Sequence, residues 1–108
     1  MNLFDVIAGI ESFNEEATIF VENEPNKISS QSEAEVIYLS DEELYEDLAA
    51  VAERRCKGKS YFLEVSIVLE INEDWAANHH GIFPTREQLV ACAIYYAEFD
   101  SYPREFFN

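Results

Sequence analysis

Thirteen carboxylates crowd the first 47 positions of this 108-residue chain against a single base, Lys27, and that imbalance limits what the chain can fold into. They are Asp5, Glu11, Glu15, Glu16, Glu22, Glu24, Glu33, Glu35, Asp41, Glu42, Glu43, Glu46 and Asp47. The stretch holds −12 of the net −15, leaving −3 for residues 48–108. Like charges repel as a chain compacts. With screening over roughly 8 Å at physiological ionic strength, the fold should therefore be salt-sensitive. A concentrated acidic field attracts a basic protein, a cation, or a site that otherwise binds nucleic acid. Nucleic acid itself is disfavoured as a direct ligand, because its binders need a basic footprint.

The acidity is not that of a disordered tail. Hydrophobic residues make up 48% of the chain and aromatics 14%, enough for a real core. The length suits one domain over 1–108. The opening Met-Asn-Leu-Phe-Asp lacks the basic region of an export signal. No stretch approaches the ~20 apolar residues of a membrane span. Cys56 and Cys92 are too few for a disulfide framework. The expectation is a cytoplasmic protein with two free thiols and no membrane association.

Periodicity predicts an α+β domain with a short antiparallel β element packed against three to four helices. Asn2 caps a helix over Leu3–Phe13, with Asp5 in its first turn. Ala17–Val21 and Val36–Leu39 are β-branched and aromatic, and pair as a hairpin across the polar loop from Asn23 to Ser32. Ser40 with Glu43 forms a capping box for a helix from Asp41 to about Cys56, closed by Arg54, Arg55, Lys57 and Gly58. Tyr61–Trp75 satisfies two periods at once. A split into a strand to Val65 and a helix over Ile67–Asn78 reconciles them. Thr85 with Gln88 forms a second capping box, opening a helix over Arg86–Phe99.

No catalytic residue, cofactor or metal is expected. With 22 acids present, any one carboxylate pair carries almost no information. His79 and His80 are adjacent, so they do not face one another on a helix, and no third ligand lies at metal spacing. Cys56 has Arg54, Arg55 and Lys57 around it, but sits near a helix C-terminus, where the dipole opposes a thiolate. Cys92 lies among Leu89, Ala91, Ala93 and Ile94 as a small core residue. Asp41–Asp47 has neither the glycine nor the spacing of an EF-hand loop.

Asp41, Glu42 and Glu43 have a bland explanation, since acids in a first helical turn contribute about 0.3–1 kcal/mol each. That does not cover Glu22, Glu24, Glu33, Glu35, Glu46 and Asp47. Tyr45 lies among them, and tyrosine beside charge is typical of binding hot spots. These ten residues are the candidate partner-binding surface. The partner expected is a basic protein.

The acidic segment Glu22–Asp47 with Tyr45, and the closing Ala93-Ile-Tyr-Tyr-Ala-Glu-Phe-Asp-Ser-Tyr102, resemble bacterial toxin immunity proteins of the contact-dependent inhibition and bacteriocin types. The closing segment is similar to a Y-Y-x-x-x-D-x-[FY] ending, matched here by Tyr95, Tyr96, Asp100 and Tyr102. The resemblance implies neutralisation of a basic, nuclease-type toxin. Three other classes compete: a DNA mimic that inhibits DNA-binding proteins, a generic acidic interaction module, and a small hydrolase.

Overall fold

The computed structural model describes residues 1–22 and 27–107. It is an α+β domain. The elements run α1 (Leu3–Ala8), a 3-10 turn (Ile10–Ser12), β1 (Thr18–Glu22), β2 (Ala34–Ile37), a second 3-10 turn (Glu43–Tyr45), α2 (Leu48–Arg55), β3 (Lys59–Glu64), α3 (Val65–Ala77), α4 (Arg86–Phe99) and a third 3-10 turn (Arg104–Phe107).

The three strands form one antiparallel sheet in the order β2-β1-β3. Central β1 is buried on both faces, at Thr18, Ile19, Phe20 and Val21, which is why it reads as a continuous apolar run. Successive side chains of a strand point to opposite faces. Ile19 and Val21 accordingly enter a larger core with α1, α3 and α4, while Phe20 enters a smaller one with Ile37, Leu39, Val51, Ala52 and Cys56 under α2. The sheet is thus sandwiched between α2 and the other helices. In β3 the register shifts, with Ile19 opposite Leu63 and Phe20 opposite Tyr61. The extra residue, Phe62, makes a bulge. It lets consecutive Phe62 and Leu63 both enter the larger core.

Several expected boundaries move. The helix expected over Leu3–Phe13 ends at Ala8, with Gly9 as its C-cap, and continues only as a 3-10 turn. Glycine's poor helix propensity explains the break. The Asn2 cap forms as expected, its side chain accepting the Asp5 N–H at 2.8 Å. The hairpin pairs with Thr18 opposite Ile37, which shifts β2 two residues before the expected Val36–Leu39. The split over Tyr61–Trp75 is present, with β3 ending at Glu64 and α3 starting at Val65. Helix α4 has the expected bounds and a complete Thr85/Gln88 capping box.

The largest departure is the helix expected over Asp41–Cys56. Both capping-box bonds form, Ser40 N–H to Glu43 Oε1 at 3.0 Å and Glu43 N–H to Ser40 Oγ at 3.2 Å. They open only a 3-10 turn, and α2 starts afresh at Leu48 with Asp47 as N-cap. A continuous helix would stack Glu42 on Glu46 and Glu43 on Asp47, like-charge pairs that repel. It would also hold residues 43 and 54 about 16 Å apart along the axis. The break folds the turn back so that Arg54 and Arg55 reach Glu43 instead.

The C-terminal segment closes over α3. Asp100 ends α4 in the left-handed region (φ 54°), its N–H donating to Tyr96 O at 2.8 Å. Tyr102 then donates to Asp74 Oδ2 at 2.7 Å and stacks on buried Phe106, which meets Trp75 edge-on. Tyr96, Asp100 and Tyr102 of the closing motif therefore have structural work in ending the helix and seating the tail. His79 stacks on Trp75 with ring centroids 4.4 Å apart.

Candidate interaction surface

The turn between Ser40 and Asp47 gathers most of the expected surface. Its base is an ion-pair clamp. Arg54 grips Glu46 with two hydrogen bonds of 3.1 Å and reaches Glu43 Oε2 at 3.0 Å, while Arg55 donates to Glu43 Oε1 at 2.6 Å. The Ser40 N–H, followed by the guanidiniums of Arg55 and Arg54, holds the Glu43 carboxyl well below the usual range, at about 2, against an opposing push from burial. Bidentate arginine–carboxylate pairs impose geometry as well as charge, so the turn is fixed in shape before any partner arrives.

Above the clamp the turn projects into solvent. Tyr45 is 92% exposed and Leu44 58% exposed, ringed by exposed Asp41, Glu42 and Asp47. A monomer gains nothing from presenting a tyrosine and a leucine to water at this tip. Glu43 is a correction to the sequence-based expectation: at 8% exposure it faces the clamp and is not part of the free acidic surface. Glu46 is exposed but already engaged by Arg54.

The remaining candidates lie elsewhere. Glu22 is half-buried at the end of β1, where its Oε1 accepts the Glu33 N–H at 2.9 Å. Glu33 and Glu35 are exposed, with Glu35 opposite Phe20 in the β1–β2 ladder. Glu24 lies outside the described residues. The single acidic stretch of the sequence is therefore divided in space. Glu22, Glu33 and Glu35 flank the start of β2, and the clamped turn lies beyond its end.

Two neighbours are not evident from the sequence. Tyr38 is 55% exposed, and its hydroxyl donates to Glu16 Oε2 at 3.1 Å. That bond, the charge of Glu16 and the charge of Asp41 all push the Tyr38 hydroxyl upward. Strand alternation was the available signal, because Ile37 and Leu39 face the smaller core and Tyr38 must point the other way. Leu44 falls within the helix expected over Asp41–Cys56, and it is exposed where that helix is broken.

Cys56, Cys92 and His79 occupy packing positions, whereas His80 is exposed with φ 57°. Cys56 and Cys92 are buried free thiols. Burial, and secondarily Glu35, pushes the Cys56 thiol up, and burial alone raises Cys92 to about 11. His79 sits against the Trp75 ring, its Nδ1 2.7 Å from the Trp75 carbonyl oxygen. Among the described residues no group of three or more His, Cys, Asp or Glu is arranged to hold a metal ion, and no helix is long and apolar enough to cross a membrane. Comparison with protein-family models, curated proteins and solved structures finds no match to this chain.

Proposed function

We propose that this protein binds and neutralises a basic protein partner, of the nuclease-toxin class, through the turn Ser40–Asp47. The observation that carries the reading is Tyr45, almost wholly exposed at the tip of an acidic turn whose base is held by ion pairs. A preformed loop loses little entropy on binding. Carboxylates around it steer a basic cleft into contact and set the association rate. Tyr45 and Leu44, once covered, set the residence time. Nuclease active sites supply such a cleft because they bind phosphates. This is the physical content of an immunity protein. A DNA mimic needs carboxylates spaced like phosphates and has no use for an apolar tip, so Tyr45 and Leu44 favour a dedicated partner.

The test is a pair of variants that leave the clamp intact. Asp41→Lys, Glu42→Lys and Asp47→Lys together should slow association and reduce its salt dependence. Tyr45→Ala should accelerate dissociation, with a loss of about 2 kcal/mol, roughly thirtyfold in Kd. Stopped-flow and equilibrium binding to the captured partner read both. Unchanged affinity in both variants would remove this turn from the interface.

A further inference from the structure

We infer that the outer edge of β2 is a strand-addition site, where a basic extended segment of the partner pairs with the sheet as an additional strand. The inference rests on the reading above that the partner is a basic protein, and adds where and how its backbone engages.

The direction of the β2 peptide groups carries the argument. In an antiparallel ladder, successive residues point their N–H and C=O alternately toward one neighbour and the other. The Glu22 N–H donates to Glu33 O at 2.9 Å, so Glu33 faces β1. The Ala34 N–H donates to Met1 O at 2.8 Å, so Ala34 faces away from β1. By alternation Glu35 faces inward and Val36 outward. The outer edge already accepts a short antiparallel segment. Asn2 pairs with Glu33, and the Leu3 N–H donates to Ser32 O at 2.8 Å. That cover reaches Ala34. Among the described residues no hydrogen bond reaches the outward N–H and C=O of Val36.

Charge selects the occupant. Exposed Glu35 flanks Val36 on one side, with Glu33 beyond it paired to the Met1 ammonium at 3.1 Å, and exposed Tyr38, bonded to Glu16, flanks it on the other. A second copy of this chain would bring the same carboxylates against themselves, and charged edges of this kind block self-pairing. The same charges favour a strand with lysine or arginine at alternate positions, where main-chain bonds supply affinity and side chains supply selectivity. An added strand here would run from Val36, past the Met1–Leu3 cover, toward the clamped turn, so one partner could contact Glu35 and the turn together.

The probe is a capped peptide alternating lysine and valine, compared with a copy N-methylated at every residue. The two share charge and side chains, but the second cannot donate main-chain hydrogen bonds. The expected result is protection of the Val36 amide from exchange by the first peptide, seen by NMR, and binding weaker by about tenfold or more for the second. Val36→Pro removes the outward donor along with a side chain packed against the larger core, and should reproduce that loss in a variant shown to be folded by circular dichroism. Equal binding of both peptides, or no change at the Val36 amide, would overturn strand addition while leaving the turn-based reading to its own variants. Sedimentation showing a dimer that pairs through this edge would replace the basic strand by a second copy and overturn the assignment equally.

Discussion

Two segments of this molecule begin with the same local device and end differently. Thr85 with Gln88 and Ser40 with Glu43 each make both hydrogen bonds of a capping box. The first opens α4, whose Leu89, Val90, Cys92 and Ala93 are buried against the larger core. The second opens one 3-10 turn and stops, leaving Leu44 and Tyr45 in water. A cap satisfies the first backbone donors, but it does not extend a helix. The residues beyond the cap decide that. Burial of an apolar face extends α4, and repulsion among Asp41, Glu42, Glu43, Glu46 and Asp47 stops the turn. The arginines of α2 then make the interrupted form the stable one.

The sharpest contrast is between the two leucines four positions beyond each cap. Leu89→Ala should destabilise by about 2–5 kcal/mol, because Leu89 is buried. Leu44→Ala should stay within about 0.5 kcal/mol, because Leu44 stands largely in solvent. Urea denaturation measures both, and a similar cost for the two would mean that Leu44 is buried in solution. Next come the caps. Thr85→Ala should cost about 1 kcal/mol. Ser40→Ala should cost less, since the Ser40 N–H and both arginines still hold Glu43.

The clamp has a pH signature that the second capping box lacks. The Glu43 carboxyl titrates at about 2 in the fold and near 4.5 when free. A depressed carboxylate stabilises fully above the unfolded value and loses that stabilisation as pH falls toward the folded one. The stability difference between the native protein and Glu43→Gln should therefore be complete near neutral pH and close between pH 4.5 and about 2. Using the difference cancels the relief of repulsion at the other carboxylates. Gln88→Ala should show no such closure. The smallest effect expected is conformational. Replacing Glu42 and Glu46 by Gln, and Asp47 by Ala, removes the repulsion and should raise helical ellipticity as the turn joins α2. No gain would mean that the break has another cause.

The same contrast explains what was legible in the sequence. Helix α4 was readable because its cap, periodicity and burial agree, and the Tyr61–Trp75 segment because two periods meet at one junction. The turn was not, because its cap signals a helix and the opposing forces act through space: Arg54 and Arg55 lie eleven and twelve positions from Glu43. The bulge at Phe62 was hidden for a related reason, since only pairing with β1 reveals it. Of the candidate surface, composition pointed to Asp41, Glu42, Tyr45 and Asp47. It could not show that Glu43 turns inward, that Glu22, Glu33 and Glu35 stand apart, or that Tyr38 and Leu44 turn outward.

The central claim is that the clamped turn is the partner-binding element. Its most direct test uses two baits, the native protein and a variant carrying Tyr45→Ala with Asp41→Lys, Glu42→Lys and Asp47→Lys, in a lysate of the source organism under rising salt. The account predicts one basic protein retained by the native bait at high salt and lost from the variant, with both baits equally folded by circular dichroism. The same basic partner retained equally by both would contradict it.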